Sequence, residues 1–600
     1  MLTGDISINR DADIIVLTTE IFRNILYKSE EDPILQRTAF LVLDECHYMK
    51  DPDRGTVWEE CIIYSGSDIQ IISLSATIGN PEKLCDWMTS VHGETELIIS
   101  NERPVPLNYM FFGREGLKPI TDKKGNLQKA LLKTHFEHKK TKGGKPFPKI
   151  AEIIQELRTK DMLPCIYFLF SRRGCEEALK KFTNIQRNKT VKLNLLNLRE
   201  KELLKKELKK ACEEIPWLLT HPHYRSLKEG IACHHAGLLP ALKFLIERLF
   251  QLNLIKVVFA TETLAAGINM PARSTVISQI SKRIDMGHRL LTGTEFQQMS
   301  GRAGRRGLDS IGYAIIIETP FEGVLEIFQL ITSPVDELHS AFTSNYTMVL
   351  NLAGMCTFKE AEELITLSFA RYEKLEEIKK IEEEIKHIHG WKKKEKRLKR
   401  IEELKQIPWS DFQKATKILE HFGYLTKDFF LTEKGKWAAE LRGDNILFLA
   451  ELLDRKALDK MNPYELCGIA CTLTSYELRK LKANDLLSWA VSENTVLFMK
   501  DIYSIMKEII SMQQTTEFKA SLPFNTKHLS LGFDWATMNN WGDFTKKYLS
   551  DEGDLVKILK QGASTLKQIY SCPNISEELK INAEEAYNLI YKSPIKDEIV

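Results

Sequence analysis

Two adjacent carboxylates, Asp44 and Glu45, follow the apolar run Phe40–Leu43 (FLVL). Such a pair at the end of a strand suits a nucleotide carrying Mg²⁺. One carboxylate holds the ion through water, and the other polarises the attacking water. Far downstream, residues 294–309 read TEFQQMSGRAGRRGLD and pack three arginines and three glycines between Gly301 and Gly307. No apolar period runs through them, which argues against a core helix or strand. Glycines let a backbone approach a bound group, and guanidiniums offer planar forks that match phosphate oxygens. Alone, each stretch reads as a solvated loop. What lifts both above that reading is the order of the pieces around them.

Those pieces need a sheet to carry them. Residues 14–17 (IIVL), 40–43 (FLVL) and 69–74 (IQIISL) are short apolar runs, each followed by polar residues and then a helical pattern. That pattern predicts buried parallel strands. The polar clusters Thr18-Thr19-Glu20, Asp44-Glu45-Cys46-His47 and Ser75-Ala76-Thr77 then fall at the carboxyl ends, where an open α/β sheet binds its ligands. The same arrangement recurs downstream. Residues 165–170 (CIYFLF) run into Ser171-Arg172-Arg173-Gly174, and 255–260 (IKVVFA) run into Thr261-Glu262-Thr263. Gly312–Ile317 (GYAIII) closes that second domain.

Composition narrows the class. Six hundred residues, 43% of them apolar, suffice for several packed domains. With 84 basic and 82 acidic residues the net charge is +2, so a nucleic-acid surface must come from local clustering. No apolar run reaches the roughly 18 residues of a membrane helix. The eleven cysteines are scattered without a CxxC, and Met1–Arg10 has no signal or transit pattern. Neither a disulfide framework nor a zinc site is expected, and a reducing compartment is. Cys467 and Cys471, four apart, read as one packed helix face. The adjacent His234 and His235 have no third ligand at a suitable spacing, so a structural role is expected for them.

The ordered set TGD, TTE, DECH, SAT, FSRRGCE, HHAGL, ATETLAAGINMP and QMSGRAGRRG resembles the superkiller-type DExH-box RNA helicases. These are the exosome-cofactor helicases and their cyanobacterial and plastid relatives. Arg306, in GRRG, is similar to the RNA branch, whereas the DNA-unwinding and spliceosomal branches tend to read GRPG. The resemblance implies ATP and Mg²⁺ as cofactors and single-stranded RNA as partner. It places Asp44 and Glu45 at the ion through water, and Gln298, Arg302 and Arg305 at the γ-phosphate. Gly267 and Asn269 would lie near the nucleotide. Thr3, Gly4, Thr18, Ser75, Thr77, Ser171 and Thr261 would contact RNA. Lys557 and Lys560 share one helix face and match the basic positions of a "ratchet" helix in a C-terminal DSHCT domain. Surface lysines on an amphipathic helix are an equal alternative.

The implied fold is α/β plus α. An incomplete first RecA-like domain spans 1–103, and a second spans 104–335. A winged helix spans 336–442, with a short helical hairpin inserted at 369–407 whose tip, 392–400, is basic. A DSHCT-like helical bundle spans 443–600. No GxxxxGK[ST] phosphate cradle occurs: Gly143-Gly144-Lys145-Pro146 and Gly435-Lys436-Trp437 both fail. The chain is therefore read as N-terminally truncated, and by itself is expected to hydrolyse ATP weakly or not at all. The expected function is an ATP-dependent RNA helicase in RNA processing or decay. It would be monomeric, off the membrane and partnered with a ribonuclease or exosome-like complex, in a cytoplasmic or nuclear-type soluble compartment or a plastid. Two alternatives stand beside it: a non-catalytic RNA-binding scaffold, and a DNA helicase of the related repair branch.

Overall fold

The computed structural model describes every residue except 3–7, 29–31, 76–77, 101, 123, 132–146, 188–192, 266–267, 285–286, 389, 444, 477, 479–492, 549 and 598–600. The chain divides into two compact units. The first comprises Met1–Ile98, Glu337–Ser550 and Lys557–Ile595. The second comprises Ile99–Asp336, Asp551–Val556 and Lys596–Val600.

In the first unit, strands β1 (Phe40–Leu43) and β2 (Gln70–Ser73) pair in parallel, with Phe40 opposite Gln70 and Leu43 opposite Ser73. Leu41 and Leu43 are buried, while Phe40 and Val42 are 62% and 55% exposed. The alternation is that of a sheet covered on one face. Residues 14–17 depart from their expected strand. Ile14 and Val16 are exposed, and Leu17 makes only an isolated bridge to Leu2. Ile15 and Leu17 instead turn inward onto a small cluster of Leu2, Ile25 and Ile34. A four-residue apolar run cannot distinguish burial on one side from burial on both, and here the burial is one-sided.

The remainder of this unit is mostly helical. Helices Phe369–His387 and Trp391–Lys405 pair through Ile378, Ile381, Ile401 and Leu404. Trp409–His421 is followed by an antiparallel bridge from Leu425 to Leu431 and then by Glu433–Ala438. Further on, Pro463–Thr472 packs closely on Lys527–Thr537. Glycine makes that approach feasible: a Cβ on Gly532 would fall 2.1 Å from the Cys467 carbonyl oxygen.

The second unit is built on one sheet. It contains β3 (Leu107–Gly113), β4 (Gly116–Pro119), β5 (Cys165–Phe168), β6 (Ile231–His234), β7 (Val257–Ala260), β8 (Ser274–Ile277) and β11 (Gly312–Ile317). The spatial order is β4-β3-β11-β8-β5-β7-β6, parallel throughout except where β4 folds back on β3. Strands β9 (Ser281–Ile284) and β10 (Gly287–Leu290) form a separate antiparallel hairpin. Every residue of β5, β6, β7 and β8 is buried, as a parallel sheet covered on both faces requires. Helices Arg172–Arg187 and Pro240–Gln251 pack on this sheet. Among the described residues, no helix is long and apolar enough to cross a membrane.

Candidate active site

Asp44 and Glu45 leave the carboxyl end of β1 directly. Glu45 adopts a left-handed backbone (φ 54°, ψ 42°), an uncommon state for a side-chain-bearing residue. Asp44 Oδ1 accepts the Glu45 N–H at 2.9 Å, Trp58 Nε1 donates to the Asp44 carbonyl, and Cys46 N–H donates to Leu74 O just past β2. The Glu45 carboxylate lies 3.3 Å from His47 Nδ1, and Ser75 Oγ lies 3.4 Å from the same nitrogen. Burial pushes the His47 imidazole below its ordinary pKa, with the Glu45 charge pulling the other way. His47 thus joins the DECH and SAT clusters, a link their separation in sequence does not reveal.

The arginine turn is held differently. Thr292 caps helix Gly293–Ser300: its hydroxyl accepts the Glu295 N–H, and Glu295 accepts the Thr292 N–H at 2.9 Å. Burial alone would raise the Glu295 carboxyl, but Arg289 and Lys282 bring it down to about 2. The chain then turns through Gly304, whose φ of 91° and close approach to Val105 leave no place for a side chain. Ala303 bridges to Ala272, and Gly304 N–H donates to Ala272 O.

Both arginines are engaged within their own unit. Arg302 Nε donates to Ala265 O at 2.8 Å, and Nη1 donates to Ile268 O at 2.6 Å. It therefore ties the arginine turn to the segment that follows β7. Arg305 grips Asp309 with a two-pronged contact, at 2.8 and 2.9 Å. Asp309 is buried, which opposes its charge, yet the Arg305 guanidinium and backbone N–H hold its carboxyl below the usual range. Its spacing of four from Arg305 was the available sequence signal for this partner. Gln298 is half-buried on the helix, and Arg306 is exposed.

Residues 4–84 match the family described as DEAD/DEAH box helicase, and 148–307 match the helicase conserved C-terminal domain. Residues 428–597 match the DSHCT (NUC185) domain. Among curated proteins, the chain is 39% identical to the chloroplastic DExH-box ATP-dependent RNA helicase DExH15 of Arabidopsis thaliana, over 62% of this chain and 37% of that protein. It is 36% identical to the probable helicase HelY of Mycobacterium tuberculosis, over 62% of this chain and 43% of HelY. It is 34% identical to the exosome RNA helicase MTR4 of Homo sapiens, over 64% of this chain and 38% of MTR4. Over the matched segments the chain is similar to superkiller-type DExH-box helicases. It spans well under half the length of these relatives.

The other residues expected from the sequence stand as follows. Ser171 follows β5, and its hydroxyl accepts the Gly174 N–H at 2.9 Å. Thr261 follows β7, with its hydroxyl 2.8 Å from that of Thr263. Asn269 is exposed, and its carbonyl accepts from Gln251. Thr18 precedes helix Thr19–Leu26 in extended backbone, and Ser75 is exposed at the end of the β2 segment. Lys557 lies on helix Glu552–Ser571 with its ammonium 4.1 Å from the centre of the Tyr476 ring, and Lys560 follows three residues later. Thr3, Gly4, Thr77 and Gly267 lie outside the described residues. Asp44 and Glu45 are hard oxygen donors beside one another at a strand's carboxyl end, which fits a divalent ion reached through water. The 600 residues supply no GxxxxGK[ST] amides for the phosphates.

The two histidines of the HHAGL element part company. His234 Nε2 meets Glu247 at 2.7 Å, whereas His235 Nε2 meets Glu176 at 3.2 Å. Local spacing offered these histidines no third donor, but the fold brings one from helix Arg172–Arg187. Glu176 also meets His223 and Cys233.

Proposed function

We propose that the chain forms motor and RNA-guiding parts of an ATP-dependent RNA helicase of the superkiller type, acting on single-stranded RNA in processing or decay. The observation that carries this reading is positional. Asp44 and Glu45, Ser171 and Thr261 all stand just beyond the carboxyl ends of parallel strands, and Arg302 fastens the arginine turn to the segment after β7. On this reading Asp44 holds Mg²⁺ through water and Glu45 polarises the attacking water. Bound Mg²⁺ would supply charge neutralisation at the phosphates. Gln298, Arg302 and Arg305 answer the charge gathering on the γ-phosphate, and Arg305 must trade Asp309 for phosphate oxygens to do so. Gly267 and Asn269 lie along the nucleotide. Thr3, Gly4, Thr18, Ser75, Thr77, Ser171, Thr261, Lys557 and Lys560 follow the RNA, so binding is salt-dependent and largely blind to sequence. The name of the human relative, an exosome RNA helicase, favours a ribonuclease complex as partner.

A second reading has its own observation. With no phosphate cradle in the sequence, the chain measured alone is expected to bind RNA while turning over ATP weakly. The test is ATP hydrolysis with single-stranded RNA or DNA, beside RNA affinity, in the chain and in a form competent for turnover. RNA-specific stimulation is expected in the competent form. Glu45→Gln there should cut hydrolysis by about 10²–10⁴-fold while leaving RNA affinity within about twofold. Equal stimulation by DNA would point to the repair branch. Undiminished turnover in Glu45→Gln would remove Glu45 from its assigned role.

A further inference from the structure

Inside the second unit, Glu176, His223 and Cys233 converge from three different elements. Glu176 stands on helix Arg172–Arg187, His223 just before helix Tyr224–Leu227, and Cys233 on β6. Cys233 is fully buried, His223 is 6% exposed, and the Glu176 side chain is 27% exposed. Glu176 Oε1 lies 3.0 Å from His223 Nε2 and 3.4 Å from Cys233 Sγ, and the sulfur lies 3.9 Å from His223 Nε2. The point equidistant from these three atoms is about 2 Å from each, and Zn–O, Zn–N and Zn–S bonds are about 2.0–2.3 Å long. Carboxylate, imidazole and thiolate together are a zinc donor set, and the sulfur disfavours Mg²⁺ and Ca²⁺.

His235 supports this cluster without joining it. Its Nδ1 accepts the Gly237 N–H at 3.1 Å, so the neutral ring carries its proton on Nε2, which faces Glu176 at 3.2 Å. A ring in that tautomer donates to a carboxylate and has no lone pair there for a metal. It holds the carboxylate in place, as outer partners of metal ligands do.

We propose that Glu176, His223 and Cys233 form a Zn²⁺ site with a fourth position left to water, fastening helix Arg172–Arg187 to β6. On binding, the Cys233 thiol proton leaves to solvent and the thiolate takes its place on the ion. Loading is therefore favoured by rising pH. The site is separate from the nucleotide and RNA residues above, so its failure would leave that reading untouched.

The test uses the full chain, stripped with chelator, loaded with Zn²⁺ or Co²⁺ alone and exchanged into metal-free buffer. The expected result is about one equivalent of tightly held metal, a sulfur-to-cobalt charge-transfer band, and a melting temperature raised by Zn²⁺. Cys233→Ala and His223→Gln should each lose the metal and the melting shift, with circular dichroism reporting that they fold. Cys175→Ala, a buried cysteine beside the cluster, should keep both. Fewer than about 0.1 equivalents bound by the parent chain would overturn the site, leaving a hydrogen-bonded His–Glu–Cys network in its place. Metal retained equally by Cys233→Ala would overturn it as well.

Discussion

The two units carry parallel sheets of opposite character. The β1–β2 pair is covered on one face, with Phe40, Val42, Ile72 and Leu74 exposed on the other. In the second unit, β5 to β8 are buried on both faces. The two turns at the candidate site are held by different groups. The Asp44–Glu45 turn is held by the Asp44 carboxylate on the Glu45 N–H, by Trp58 donating to the Asp44 carbonyl, and by Leu74 past β2 accepting the Cys46 N–H. The arginine turn is held by a sheet neighbour, a capped helix and backbone carbonyls from a second segment. The two turns share a multi-segment grip and differ in what supplies it: Trp58 and a backbone amide on the Asp44 side, and the Arg302 guanidinium on two backbone carbonyls at the arginine turn.

Glycine substitution gives the largest test of that contrast. Gly304 combines a φ of 91° with Val105 Cγ1 only 2.7 Å from where a Cβ would stand. Gly93, in the first unit, has a φ of 117° with nothing within 4 Å. Gly304→Ala should cost about 3 kcal/mol, backbone strain plus overpacking, and Gly93→Ala only about 1 kcal/mol of strain. Denaturant unfolding of both variants measures this. Equal losses would mean that the dense packing around the arginine turn yields as readily as open surface.

Acid offers a smaller effect that marks the first unit. His528 is fully buried there, with Nδ1 on the Cys471 carbonyl, and burial takes its pKa down to about 4. The folded state therefore favours the neutral ring. Its stabilising contribution is complete above the unfolded value of about 6.5 and is lost as pH falls from there toward 4, by about 2–3 kcal/mol. His528→Asn should flatten that stretch of the stability profile, whatever it does to the absolute level. In the second unit, the contribution of the depressed Glu295 carboxyl is complete above its unfolded value of about 4.5 and is lost as pH falls from there toward about 2, so its loss lies mainly below the His528 range. A profile unchanged in His528→Asn would assign the acid loss to other groups.

How legible this was from sequence follows the same divide. The runs before Ser171 and Thr261 form strands buried on both faces, so apolar character and burial agree. The run at 14–17 misled because its neighbours cover only Ile15 and Leu17. Motif order singled out the expected site residues, but not the partners that hold them. Asp309 could be read from its spacing to Arg305. His47 as a link to Ser75, Glu176 beside His223 and Cys233, and Tyr476 beneath Lys557 could not, since each contact joins segments with no common periodicity.

Lys557 carries the finest distinction. Its ammonium rests near the Tyr476 ring, so the same side chain can serve packing or an RNA phosphate. The two roles separate in salt. If Lys557 neutralises a phosphate, Lys557→Ala lowers the slope of log affinity for single-stranded RNA against log salt by about 0.7. A role confined to the ring leaves that slope unchanged and moves only the melting temperature, and Tyr476→Phe, which keeps the aromatic face, then behaves like the parent. An unchanged slope in Lys557→Ala, with Lys560→Ala lowering it, would assign the RNA contact to the neighbouring lysine and leave Lys557 to the helix surface.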